Sequence, residues 1–260
     1  MDSSQIIIII AGFAAGLMNS VAGGGTILTY PALLAAGLTP IEANATSTVA
    51  LLAGILSSIG GYRKRIGTVT LWLKTFIPVS VIGGLFGAVL LLQTPEKTFG
   101  ILAPFLIMGA TVLFGFQGLL QKIFNPTKCA PKNLEESKKW WIISIGIQLL
   151  VSIYGGYFGA GIGIMMLASL SILGFQDIHE MNTVKAILAF AINVIAAVYF
   201  ILFAPIAWMN VILLACGAFT GGYLGAVIAQ SVNQKFVRLF VVLIGCIITL
   251  NLFYKQFFAP

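Results

Sequence analysis

The stretch AGGGTILTYP, residues 22–31, lies inside an apolar segment that runs from residue 5 to residue 36. A segment of this length could enter a membrane as a helix, but three consecutive glycines, Gly23, Gly24 and Gly25, favour a break in that helix. Non-helical backbone at membrane depth is tolerated only where it is buried in protein or lines a polar cavity, because unpaired amides are costly in hydrocarbon. The stretch therefore predicts a binding site inside a membrane protein.

The composition of the whole chain points to the membrane. Of its 260 residues, 59% are hydrophobic and 8% are charged, whereas about a quarter of the residues of a soluble domain are charged. No basic residue precedes the apolar run at residues 6–10, so we expect this first segment to be retained and not cleaved as a signal peptide. The basic residues behind the net charge of +7 lie mostly in short loops, where they orient helices. Nucleic acid is therefore not an expected partner.

Polar loops divide the chain into apolar runs, most of which have the roughly 20 residues that span a bilayer. The predicted fold is an all-α polytopic membrane protein with a first repeat at residues 1–121, a cytoplasmic linker at 122–139 and a second repeat at 140–260. The apolar runs cover residues 5–36, 43–62, 68–92, 99–121, 140–174, 181–203, 207–229 and 236–258.

The two halves read as copies of one another. The sequence GGLFGAV at 83–89 returns as GGYLGAV at 221–227, and five of the seven positions are identical. At nearly the same offset Gly24 aligns with Gly161, so the first glycine break recurs as GAGIG at 159–163. Internal duplication is characteristic of secondary transporters, which bind substrate near the bilayer midplane between the repeats.

The orientation of the repeats depends on the broken segment. Helices over residues 5–20 and 26–36 would be about 24 Å and about 16 Å long, which together exceed a single crossing of a core about 30 Å thick. A re-entrant hairpin followed by three crossings fits better, and this odd number would invert the second repeat. If both broken segments are hairpins, ten basic loop residues lie on the same side of the membrane as the linker and two lie on the other side. If both segments cross fully, the numbers are nine and three. The positive-inside rule thus mildly favours hairpins, a cytoplasmic linker and both termini outside.

The breaks are candidate anion sites. A helix that begins at Thr26 presents free N–H groups and the positive end of its dipole, which attract anions, and glycines let a ligand approach the backbone. The second break would face the first across one cavity. Close helix packing by small residues is the alternative, and we favour it for Gly83, Gly87, Gly221 and Gly225. The predicted substrate-binding residues of the two breaks are Asn19, Ser20, Gly23, Gly24, Gly25, Thr26, Gly159, Gly161 and Gly163.

Polar residues also open the helix after each break, as EANATST at 42–48 and HEMNTVK at 179–185. Capping of a helix N-terminus is the commonest use of Ser, Thr and Asn at such positions, and gates to the anion site are the alternative. Lys185, about one turn inside its span, is a candidate counter-charge, with snorkelling to the interface as the competing interpretation. From these helices we add Thr46, Ser47, Asn182, Thr183 and Lys185 to the predicted substrate site.

No enzyme site is expected. His179 is the only histidine and has no cysteine or serine at a recognisable spacing. The three cysteines are far apart and lack the paired spacing of a metal site. We therefore predict no catalytic residues, no metal and no cofactor.

The motifs together resemble the TauE/SafE family of sulfite exporter-like permeases, over essentially the whole chain. The residues that carry the resemblance are Gly16-Leu17, Ala22 to Gly25, Pro31, Gly37 and Ala43 to Ser47, with a degenerate second copy at Gly155 to Gly163. The family's glycine signature corresponds to Gly23, Gly24 and Gly25, and its second-repeat signature to Gly159, Gly161 and Gly163. Here Ala160 and Ile162 stand where glycines are frequent in the family.

The resemblance implies transport of small sulfur-containing or organic anions across a bacterial-type cytoplasmic membrane. The leading hypothesis is a secondary transporter in the lipid bilayer that moves a small anion, sulfite or an organosulfonate, by alternating access. A non-transporting membrane scaffold and an intramembrane enzyme are the alternatives. The glycine-rich helices are compatible with a homodimer but do not establish one.

Overall fold

The computed structural model describes residues 3–21, 23–62, 67, 69–123, 138–173, 175, 177–228 and 234–257. Within these ranges the chain forms α-helices and no strands, which confirms the predicted all-α class. Ala22, the basic cluster at 63–65, Gly174 and most of the linker at 122–139 lie outside the described residues. The helices are α1 (Ser3–Val21), α2 (Thr26–Ala35), α3 (Pro40–Tyr62), α4 (Thr70–Gln93), α5 (Glu96–Ile123), α6 (Lys138–Tyr157), α7 (Ile162–Ile172), α8 (Ile178–Phe203), α9 (Trp208–Ile228) and α10 (Gln234–Phe257).

Five of these helices, α3, α4, α5, α8 and α9, are long and apolar enough to cross a membrane. By contrast α2 and α7 have 10 and 11 residues, which makes each about 15 Å long, half the thickness of a bilayer core. Large apolar side chains cover the outside of the helices, with Leu150, Leu202 and Leu250 each more than 65% exposed. Such a surface is stable in lipid and not in water, so the protein is embedded in a membrane as a multi-pass protein.

The helices of the two halves pack reciprocally. Helix α1 packs mainly on α9, and α6, which aligns with α1 at the sequence offset, packs mainly on α4, which aligns with α9. Likewise, α3 packs on α9, and α8, which aligns with α3, packs on α4. Each half thus supplies the packing surface for the broken segment of the other half.

Glycines allow these close contacts between helices. A Cβ atom added to Gly83 of α4 would lie 2.6 Å from Cβ of Ser152 in α6, and one added to Gly225 of α9 would lie 3.0 Å from Cα of Leu17 in α1. Both distances are shorter than ordinary van der Waals contact. The repeated glycine motif therefore lies at helix interfaces, which supports the packing interpretation of these glycines.

We expect Gly221→Ala to destabilise the protein, because the added Cβ would overlap the main-chain carbonyl of Phe13 in α1. Overpacking of this kind costs about 1–3 kcal/mol and should lower the thermal midpoint, measured on the purified protein in detergent. Gly146→Ala is the matched control, since a Cβ there meets no atom within 4 Å, and it should leave stability unchanged or raise it by up to about 1 kcal/mol. Equal midpoints for the two variants would contradict the packing interpretation.

The first broken segment reverses its direction at the glycines. Ser20, near the end of α1, has its Oγ 2.6 Å from Oγ of Ser58, whereas Thr29 of α2 has its Oγ1 2.5 Å from Oγ of Ser47. Ser47 and Ser58 both belong to α3, where eleven residues correspond to about 16 Å along the axis. Helix α2 therefore runs back beside α3 toward the residues where α3 begins.

The second broken segment also returns to the place where it begins. Trp141 near the start of α6 stacks on Trp72 of α4, with ring centroids 5.1 Å apart, and Phe175, just beyond α7, lies 4.9 Å from the same Trp72. The two ends of this segment therefore meet at one aromatic residue. Each break is consequently the tip of a hairpin, held inside the protein.

Candidate functional site

The two glycine breaks touch each other. A Cβ added to Gly23 would lie only 2.5 Å from Cα of Gly163, so the main chains of the two tips are in direct contact. Four glycines of the breaks have positive φ, a conformation that other residues adopt only with strain. They are Gly23 at +75°, Gly24 at +127°, Gly159 at +76° and Gly161 at +74°.

A small cavity lies beside this contact. The breaks contribute Gly23, Thr26, Gly159 and Gly163 to its wall, and α1, α3 and α8 supply the remaining sides. Its volume of about 30 Å³ has room for roughly two water molecules. A ligand held there in this conformation must therefore be small.

Lys185 of α8 brings a positive charge to the cavity. Its side chain lines the wall and is only 3% exposed, so the snorkelling interpretation is wrong in this structure. Its buried Nζ has no hydrogen-bond partner among the described residues. An ammonium group at membrane depth is costly unless it is compensated, which makes Lys185 the candidate counter-charge for an anion.

Asn19 caps the first break from inside the cavity wall. Its Oδ1 accepts hydrogen bonds from the N–H groups of Gly24 at 2.9 Å and Gly25 at 2.7 Å. The expectation that these two amides are free donors is therefore wrong for this conformation, because the side chain that precedes them in α1 satisfies both.

The second break keeps a backbone donor available. Gly163, in the first turn of α7, lines the cavity, and its N–H makes no hydrogen bond to another described residue. Helix α7 begins at this break as α2 begins at the other, so the N-terminal ends of two half-length helices meet at the cavity. Each end carries a partial positive charge.

Six of the fourteen predicted site residues line the cavity: Asn19, Gly23, Thr26, Gly159, Gly163 and Lys185. The other eight do not line it, and several of them join helices in this conformation. Ser20 Oγ donates to the carbonyl of Gly222 at 2.7 Å, and Thr46 Oγ1 accepts a hydrogen bond from the N–H of Ala207 at 3.2 Å. These eight are Ser20, Gly24, Gly25, Thr46, Ser47, Gly161, Asn182 and Thr183.

Two polar residues of the cavity were absent from the predicted set, Ser58 of α3 and Asn193 of α8. Asn193 lies eight residues after Lys185, which places both side chains on one face of the helix. Its Nδ2 donates to the carbonyl of Ala189 in the same helix at 2.8 Å. An amide inside an apolar helix is the signal that points to Asn193 in the sequence, whereas nothing in the local sequence singles out Ser58.

A cluster of aromatic rings includes Phe158, the residue that precedes the second break. Tyr30 of α2 lies edge-on to Phe158, which precedes the second break, with centroids 5.4 Å apart, and Phe99 of α5 packs against both. Tyr157 joins this aromatic cluster through Phe99, and its carbonyl accepts a hydrogen bond from Nδ2 of Asn44 at 3.1 Å. The cluster therefore ties α2, α3 and α5 to the second break.

Known proteins resemble the chain over nearly its whole length. The family model described as "Sulfite exporter TauE/SafE" matches residues 8–252. A probable membrane transporter protein of Haemophilus influenzae is 28% identical, covering 96% of this chain and 94% of its own. Probable membrane transporter protein ORF9 of a Sinorhizobium species is 27% identical, covering 94% and 90%. Probable membrane transporter protein YfcA of Escherichia coli K12 is also 27% identical, covering 93% and 87%. No solved structure matches the chain.

Proposed function

Because the chain belongs to the sulfite exporter TauE/SafE family of membrane transporters, we propose that it carries a small anion, sulfite or an organosulfonate. The observation that carries this proposal is the buried ammonium of Lys185, which lines the cavity between the two glycine breaks without a partner among the described residues. A bound anion would compensate a charge that is otherwise costly at this depth.

The neighbours of Lys185 suit the same ligand. The N–H of Gly163 is available as a donor, and the positive ends of α2 and α7 favour negative charge within the first turn of each helix. Thr26 and Asn193 add neutral polar side chains to the wall. The cavity holds only a few heavy atoms, so the proposal favours the smallest sulfur oxyanions over bulky sulfonates.

Alternating access follows from the proposed membrane arrangement. If each broken segment is a re-entrant hairpin followed by three crossings, the second repeat is inverted relative to the first, as in many transporters. The aromatic cluster of Tyr30, Phe99, Tyr157 and Phe158 would then act as the gate on one side of the cavity. We place the linker in the cytoplasm and both termini outside, by the positive-inside rule.

The alternatives make different predictions. The named relatives are transporters, which agrees with a function other than catalysis. A non-transporting scaffold would have no reason to keep a lysine without a partner among the described residues in an internal cavity, and small anions would not stabilise it. A homodimer stays a prediction that this proposal does not require.

We expect small anions to stabilise the purified protein against thermal unfolding in detergent. A panel of sulfite, methanesulfonate, isethionate, sulfoacetate and acetate, matched in ionic strength with chloride, would test this. A ligand at a hundred times its Kd should add about 2.7 kcal/mol to the stability. An absence of stabilisation by every anion of the panel would contradict the proposal.

The variant Asn19→Asp tests whether the stabilising anion binds in this cavity. A carboxylate there can still accept the N–H groups of Gly24 and Gly25, and it offers Lys185 an internal counter-charge. The variant should keep its fold and lose the stabilisation by anions. Asn251→Asp is the control, because Asn251 is exposed on α10 and does not line this cavity. Equal stabilisation of both variants by an anion would place the anion elsewhere.

A further inference from the structure

A protonated Lys185 would leave the charge of the empty cavity unbalanced. Lys185 is ionisable, and the other described residues of the cavity wall are neutral. The position that aligns with Lys185 in the first half is Thr48, whose Oγ1 donates to the carbonyl of Asn44 in its own helix. The described residues of the site therefore include one ionisable group and not a symmetrical pair.

No other described ionisable side chain balances this group. Helix α8 packs against α3, α4, α6 and α7. The described ionisable side chains of these five helices are Glu42, Lys74, Tyr154, Tyr157, Glu180 and Tyr199, and none of them lines the cavity. Tyr154 donates instead to the carbonyl of Ala160 at 2.6 Å, and Tyr157 lies 3.3 Å from the hydroxyl of Thr94. The side chains of Tyr62, Lys138, Lys139 and His179 lie outside the described part of the chain.

A transporter must move its site between the two sides both loaded and empty. With a permanent cation, the empty site would carry an uncompensated charge through a medium of low dielectric constant, which is strongly unfavourable. A lysine can avoid this cost by releasing its proton, whereas an arginine remains charged under all ordinary conditions. The choice of lysine at position 185 thus permits a neutral empty site.

We propose that Lys185 is the binding site of a coupling proton, so that one proton and one monovalent anion enter the cavity together and cross as an electroneutral pair. The empty site holds the amine, R–NH2. Binding follows R–NH2 + H⁺ + A⁻ ⇌ R–NH3⁺···A⁻, and release on the other side reverses it, so that no net charge moves in either half of the cycle. This inference rests on the proposed function and adds the coupling ion and the charge of the substrate.

Proton movement can be measured with an anion that carries no proton itself. Methanesulfonate is the anion of a strong acid, so it remains a monoanion at any working pH and cannot carry a proton across the lipid. Wild-type protein would be reconstituted in liposomes that contain a fluorescent pH indicator, and uptake of radiolabelled methanesulfonate would be followed in parallel. We expect one proton to enter per anion, and a potassium diffusion potential of either sign to leave the rate unchanged.

Lys185→Arg separates binding from coupling. The guanidinium should still attract the anion and preserve its stabilising effect on thermal unfolding, but it cannot release a proton in the empty site. Net uptake and proton movement should therefore fall at least about tenfold. Lys74→Arg is the control, since Lys74 is exposed on α4 and lies outside the cavity, and it should match the wild type.

The outcomes distinguish the two proposals. Uptake by wild type that follows the membrane potential without proton movement would overturn the coupling and leave the proposed function in place. Undiminished proton-coupled uptake by Lys185→Arg would overturn the role of this residue. If wild type transports neither methanesulfonate nor any anion of the thermal panel, the proposed function fails, and the coupling fails with it.

Discussion

Lys185→Met is expected to abolish anion uptake and at the same time to raise the thermal stability of the protein. The substitution removes the one ionisable group among the described residues of the cavity wall and keeps an unbranched side chain of similar length in the space that Lys185 fills. Loss of a buried charge that pairs with a ligand costs about 3 kcal/mol or more, which corresponds to a fall in transport of roughly a hundredfold.

The gain in stability has the same cause. The amino group is buried without a hydrogen-bond partner among the described residues, so its replacement by an apolar group should stabilise the anion-free protein by about 1–3 kcal/mol. Uptake in proteoliposomes and the thermal midpoint without added anion would measure the two effects. Lys74→Met, at an exposed position of α4, should change neither quantity by much. If Lys185→Met still transports anions, Lys185 does not have the role proposed for it. If the variant is strongly destabilised, Lys185 has a structural role only.

Gly23→Ala is expected to disrupt the site by separating the two breaks. Its Cβ would be placed 2.5 Å from Cα of Gly163, a main-chain atom that cannot move aside alone, and alanine is strained at a φ of +75°. The strain contributes about 1–2 kcal/mol and the overlap a further 1–3 kcal/mol or so. The variant should lose stabilisation by anions and unfold at a clearly lower temperature.

Gly37→Ala is a matched control for this change. Gly37 also has a positive φ, of +91°, but a Cβ added there meets no atom within 4 Å. The control should therefore show the cost of backbone strain alone and retain anion binding. If the two variants lose the same stability and keep the same response to anions, the contact between the breaks is not needed for anion binding.

Much of the fold could be predicted from the sequence because it depends on local chemistry. The apolar runs predict helices through the cost of unpaired amides in lipid, and the structure has helices in all of the predicted ranges, with only parts of them outside the described residues. Gly23, Gly24, Gly159 and Gly161 all adopt positive φ, a conformation that a glycine cluster indicates because other residues avoid it. The breaks could thus be located before their surroundings were known.

The site could be predicted only in part from the sequence, and Asn19 shows why. Sequence reasoning assigned it to the substrate site, but in the structure its Oδ1 accepts the N–H groups of Gly24 and Gly25. An asparagine seven residues before a helix start can cap that helix only if the chain folds back at the right angle. Local sequence preferences do not determine this angle. The pairing of Ser20 with Ser58 likewise joins residues that are 38 positions apart.

The sequence by itself determined that the chain is a bundle of membrane helices and that two of its apolar segments are broken. It also placed a lysine about one turn inside the apolar span that follows the second broken segment. Only the tertiary structure decided that Lys185 is buried in the wall of a cavity and does not reach the interface, and that the tips of both breaks line the same cavity. The physical reason is one of range. Backbone conformation and lipid solubility depend on neighbouring residues, whereas the surroundings of a side chain depend on how distant helices pack, which is settled by the free energy of the whole assembly.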